Sequence, residues 1–210
     1  MLQDLPLFFA AAILLNITPG PDMAFFGSRA VSQGFRSGLV AFLGVCAGCL
    51  VHTFAAALGL SAILQTSAGA FLVVKLVGAA YLLWIGIGLL RDTGNGGLQL
   101  DGALAAASHR KVFMQGFLTN TLNPKVALFF LAFLPQFIDP ATPDRALAFV
   151  TLGLLFILNS MITMIPLIRF FASMGARVRA DSRIATWLNR GCGALFVAVG
   201  VKLALSERPA

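Results

Sequence analysis

Two proline-containing interruptions place opposite charges inside apolar stretches. Thr18-Pro19-Gly20-Pro21-Asp22 interrupts the first apolar run and leaves a carboxylate, while Asn123-Pro124-Lys125 interrupts a later run and leaves an ammonium. Proline removes a backbone donor and clashes with the preceding turn, so a regular helix does not continue through either site. Carbonyls and amides freed in this way are tolerated at membrane depth only where they line a cavity or face protein. An ionisable side chain at that depth is costly and marks a functional site by default. Interrupted segments at corresponding positions of two halves point to the binding site of a transporter. A zwitterionic amino acid would satisfy both charges: Lys125 would face its carboxylate, and Asp22 its ammonium or a coupling proton. In the competing readings the two side chains pair with each other, Asp22 is hydrated near the membrane edge, or both breaks are plain kinks.

Other polar side chains lie along the apolar segments. Imidazole suits proton transfer at physiological pH, so His52 is a candidate carrier; a hydrogen-bonded packing histidine is the alternative. Asn120, Gln136 and Asn159 add amides. Asp22, Lys125, Asn123, Pro124, Pro19, Gly20, Pro21, Asn120, His52 and Gln136 form the candidate substrate-binding or coupling set. Lys75 reads as a snorkelling side chain, and Tyr81 and Trp84 sit deeper than an aromatic belt. Cys46-Ala47-Gly48-Cys49 has redox spacing, but it lies inside an apolar run and reads as small residues in helix packing. Gly44, Gly48, Ala55 and Gly59 recur at close to four-residue spacing, which permits close helix approach. Enzyme signatures are absent: no phosphate loop, no nucleophile–base pair, no histidine pair at metal-ligand spacing. The chain therefore reads as a non-enzyme, with no cofactor and no metal ligand.

The elements that must position these residues are membrane helices. Of 210 residues, 59% are hydrophobic and 11% charged, against about 25% charged in soluble domains; mean hydropathy is +0.90. The net charge of +7 is spread over short loops, which argues against nucleic acid. Spans of about 20 apolar residues fall at about Leu5–Phe26, Leu39–Leu64, Ala70–Leu90, Val112–Ile138, Ala146–Phe171 and Cys192–Leu205. The N-terminus lacks the positive region of a cleavable signal, so the first segment is expected to remain a span. Basic residues gather in the odd loops: Arg29 and Arg36; Arg91, Arg110 and Lys111; and Arg169, Arg177, Arg179, Arg183 and Arg190. The positive-inside rule puts those loops in the cytoplasm and both termini outside.

Residues 92–110 read as a connector between two sets of three spans, about 1–91 and about 111–210, within one membrane domain. An odd number of spans per set makes the second enter the membrane inverted. Pro19 and Pro124 are matched in this reading, with Asn16 before one and Asn120 before the other. The fold expected is all-α: six transmembrane helices in two inverted three-helix repeats, with helices one and four broken.

The chain resembles the LysE family of amino-acid exporters, in particular its RhtB branch of homoserine- and threonine-type efflux proteins. The resemblance rests on Thr18-Pro19-Gly20-Pro21, on Lys75-Leu76-Val77-Gly78-Ala79-Ala80-Tyr81-Leu82-Leu83-Trp84-Ile85-Gly86, and on Asn123-Pro124-Lys125 with Phe133-Leu134-Pro135-Gln136-Phe137. Gly193-Ala194-Leu195-Phe196 and Gly200 extend it to the last helix. It implies a six-helix protein of the bacterial cytoplasmic membrane that exports amino acids or close derivatives by proton antiport. The partners implied are a small-molecule substrate, protons and lipid; association into a homo-oligomer stays open. A metal-cation exporter would want oxygen ligands at both breaks, and Lys125 argues against it. A membrane thiol–disulfide oxidoreductase would want cysteines near both breaks, and Cys192 has no visible partner.

Overall fold

The computed structural model describes residues 2–60, 107–139 and 141–174, with scattered helical positions between 73 and 91 and between 190 and 201. The described chain is helical: α1 Leu5–Ile17, α2 Pro21–Gln33, α3 Phe35–Ala55, α4 His109–Thr121, α5 Pro124–Ala132 and α6 Arg145–Met174. A π-helical turn, Ala56–Leu60, extends α3, and a 3-10 turn, Leu134–Phe137, follows α5. Among the described residues there is no strand, only an antiparallel bridge between Leu2 and Ile138.

Both interruptions are real breaks. α1 and α2 meet at 58°, and the helices on either side of Asn123-Pro124 meet at 55°. Pro21 and Pro124 each occupy the first position of the new helix, where the missing N–H costs nothing. Pro124 thus corresponds to Pro21, not to Pro19: the first break holds Thr18-Pro19-Gly20, and the second only Leu122-Asn123. The asparagine match survives, since Asn16 and Asn120 are the next-to-last residues of α1 and α4.

The first span was expected to end at Phe26. Instead α2 continues to Gln33, because nothing in its sequence stops a helix before Gly34, whose φ of 82° is favourable for glycine. Arg29, assigned above to a loop, is therefore a buried helical residue. α3 with its π turn (Phe35–Gly59) and α6 (Arg145–Ser173) are long and apolar enough to cross a membrane, each with a mean hydropathy of 2.1. Each bent pair qualifies as a further span. The third and sixth expected spans, with Lys75, Tyr81 and Cys192, lie almost wholly outside the described residues; Trp84 is described and exposed.

Close contacts set the directions of the helices. A Cβ on Gly44 would strike the carbonyl oxygen of Phe113, and one on Gly116 would strike that of Ala41. α3 and α4 therefore lie backbone to backbone, and since Gly44 faces Phe113 and Gly48 faces Asn120 they run the same way. Lipid offers no hydrophobic drive between helices, so close packing of this kind holds them. Gly48 continues the stripe against Asn120. The stripe ends there: a Cβ on Gly59 would meet nothing within 4 Å, and Ala55 is exposed, because the helix has passed beyond the end of α4. α6 runs opposite to α3, with Ile168 beside Gly38 and Thr53 beside Gly153.

These directions give the bundle two ends. Arg36, Arg110, Lys111 and Arg169 gather at one end, where the Arg169 guanidinium lies 6.0 Å from the centre of the Phe35 ring. At the other end the residues before α1 meet those after α5. A phenylalanine cluster packs below that end; Phe129 stacks on Phe133 with ring centres 4.6 Å apart, and Phe133 lies 4.7 Å from Phe137. Leu147, Leu154, Leu158 and Ile162 stay exposed along one face of α6.

Candidate functional site

The breaks lie side by side, and each holds the other's charge. Asp22, in the first turn of α2, accepts at Oδ2 from Asn120 Nδ2 (2.8 Å) and Asn123 Nδ2 (3.0 Å), both from the second break. Lys125, in the first turn of α5, donates from Nζ to the carbonyl oxygen of Thr18 (3.2 Å), in the first break. A Cβ on Gly20 would lie 3.0 Å from Lys125 Nζ, so glycine there makes room for the ammonium. These side-chain contacts of the two charges are thus crossed, Asp22 to the second break and Lys125 to the first.

Asn123 uses both ends of its amide. Its Oδ1 accepts from the backbone N–H of Lys125 (3.0 Å), capping α5. Its Nδ2 is thereby turned toward Asp22. The orientation of the Asn120 amide is likewise fixed by donation to a carboxylate, which can only accept. The other carboxylate oxygen, Asp22 Oδ1, is buried and has no hydrogen-bond partner among the described residues.

His52 solves a problem that Pro124 creates. In an unbroken helix the N–H of residue 124 would bond the carbonyl of Asn120, and proline has none. That oxygen accepts instead from His52 Nε2 (3.1 Å) and from the backbone N–H of Asn123 (2.9 Å). Since a carbonyl only accepts, Nε2 carries the hydrogen. His52 also lies against Phe130, with ring centres 5.9 Å apart. These two contacts fit the hydrogen-bonded packing reading of His52.

A cavity of about 40 Å³ sits between the breaks. Asp22, Lys125, Asn120, Thr18 and Asn16 line it with polar atoms; Phe26, Phe42, Val45, Cys46 and Phe156 supply apolar wall. It has room for a few water molecules at most. α6 contributes Ser160, which sequence reasoning left without a role. Its Oγ donates to Asn16 Oδ1 (3.0 Å), while Asn16 Nδ2 donates to Asn159 Oδ1 (3.3 Å). Adjacent Asn159 and Ser160 in the middle of a long apolar helix were the legible signal. Gln136 is elsewhere: it belongs to the 3-10 turn, where its carbonyl accepts from Gln3 Nε2 (3.1 Å). Cys46 and Cys49 are buried free thiols that form no disulfide.

Crossed breaks in apolar spans around a hollow of mixed polar and apolar lining are the arrangement of a membrane transport protein, and the family match agrees. The chain matches the family model for the LysE type translocator over residues 13–207, and it belongs to that family. It is 32% identical to an uncharacterized membrane protein of Pseudomonas aeruginosa, over 97% of this chain and 95% of that one. It is 28% identical to a homoserine/homoserine lactone efflux protein of Salmonella typhimurium, over 94% of each chain. It is 30% identical to a threonine efflux protein of Salmonella typhi, over 97% of this chain and all of the other. No solved structure matches the chain.

Proposed function

We propose that the protein exports amino acids or close derivatives from the cytoplasm by alternating access, with inward proton movement as the driving reaction. One observation carries this reading: Asp22 Oδ1, an acceptor with no donor among the described residues, and Lys125 line the same cavity. A carboxylate oxygen buried without a donor is costly, and a substrate ammonium would relieve that cost. Lys125 would bind the substrate carboxylate through its ammonium. A small cation at the same place is disfavoured by the neighbouring ammonium of Lys125. The efflux relatives support the amino-acid class; they do not choose its member.

The architecture proposed is one membrane domain of six helices, bounded as in the sequence reading. Its inverted-repeat form is supported by direction: α1–α2 runs opposite to α4–α5, and α3 opposite to α6. The arginine-rich end is taken as cytoplasmic, in the inner membrane of a bacterium. Efflux of a labelled amino-acid panel from proteoliposomes, with and without a proton gradient, is the test. Movement of at least one member, accelerated by an opposing proton gradient, is the expected result. If no member moves, amino-acid export is wrong; if movement ignores the gradient, proton coupling is wrong.

A further inference from the structure

The crossed contacts at the centre are bracketed by a contact at each end. Toward the basic end, Arg29 of α2 donates from a terminal guanidinium nitrogen to Gln115 Oε1 of α4 (2.9 Å). Arg29 is buried, and its guanidinium carbon lies 5.7 Å from the centre of the Phe25 ring. At the other end, Leu2 pairs with Ile138, the Gln3 N–H donates to the Phe137 carbonyl (2.9 Å), and Phe8 meets Phe137 edge to face at 5.4 Å. One seal joins the second half of the first broken span to the first half of the other. The opposite seal joins the remaining two halves. If the two broken spans are exchanged, each seal maps onto the other, as do the Asp22 and Lys125 contacts between them.

We infer that these two end contacts are the gates of the transport path, closed together in this structure. The inference rests on the transport reading above. The cavity between them is too small for an amino acid, so loading requires one seal to part while the other holds. The seals differ in chemistry. The basic-end gate is a partly buried side-chain hydrogen bond; the opposite gate is main-chain pairing reinforced by rings.

Cys46 lines the cavity and reports access to it. In a Cys49→Ala, Cys192→Ala background, a membrane-impermeant maleimide applied from either side should reach Cys46 only through the gate on that side. Gln115→Glu would turn the Arg29 contact into a charge-assisted one. We expect about tenfold slower labelling from the basic side and unchanged labelling from the other. Adding Arg29→Gln should restore the rate, which separates a locked gate from a misfolded protein. For the opposite gate, bridge partners lie close enough for a disulfide. Leu2→Cys with Ile138→Cys, oxidised, should block labelling from that side and stop efflux, and reductant should restore both. Unchanged labelling in both locked proteins, or wild-type efflux from the oxidised pair, would overturn the inference. Labelling needs no substrate, so gates that respond while no amino acid crosses would count against the transport reading alone.

Discussion

The two breaks have the same construction but carry their charges differently. Each starts a helix with proline and places an ionisable residue next: Pro21-Asp22 in α2 and Pro124-Lys125 in α5. A helix N-terminus carries partial positive charge. Asp22 therefore sits where its own helix favours it, and Lys125 where its own helix opposes it. The capping is also unequal. Asn123 caps α5 through its side chain, whereas Gly20 offers α2 no side-chain cap. The second break is thus the one where local preference has been overridden, and a residue that breaks a local rule without local gain points to function. Lys125 is held by the opposite break and faces the shared cavity instead.

This comparison can be broken most directly at the charges themselves. Lys125→Gln and Asp22→Asn should each lower initial efflux about a hundredfold or more, corresponding to about 2.7 kcal/mol; wild-type flux in either variant removes that residue from the mechanism. The stabilities of the same two proteins should then diverge. Lys125→Gln relieves a cation at a helix N-terminus and should hold or raise the thermal midpoint in detergent. Asp22→Asn removes a favourably placed anion and should lower it, the two differing by about 1 kcal/mol. A common shift in the same direction would mean that the helix ends are not what distinguishes the breaks.

Smaller effects sharpen the picture. His52→Leu should cost about 1–3 kcal/mol by leaving the Asn120 carbonyl without its side-chain donor, and His52→Gln should recover part of it. If efflux in the glutamine variant is lost as fully as in the leucine one, the imidazole does more than cap a carbonyl. Gly20→Ala should weaken efflux by up to about tenfold, because Lys125 Nζ is a mobile tip that can shift away from a 3.0 Å contact. Ser160→Ala should change stability by only about 0.5–1.5 kcal/mol, since Asn16 retains Asn159. Thermal unfolding in detergent measures each of these.

Much of the site was legible in the sequence because proline and charge have no quiet place inside an apolar helix. Asp22, Asn120, Asn123 and Lys125 stand together as their spacing suggested. Which atom meets which was not legible, because the bonds cross between segments about 100 positions apart and depend on how two kinks face each other. Arg29 was misread for a different reason: hydropathy alone cannot distinguish a loop arginine from one buried against Gln115 and Phe25. Gln136 lies in an apolar segment near a break in sequence, yet the turn after α5 carries it to the far end of the bundle.

The glycine seam between α3 and α4 has a mechanical consequence. Gly44 and Gly116 press backbone onto backbone across the boundary between the first half of the chain and the second. Hinging the molecule open along its sequence midpoint would tear that seam first. Bending at the prolines leaves it intact. The pieces that swing would therefore be mixed ones, with α3 and α4 carried as a single strut drawn from both halves.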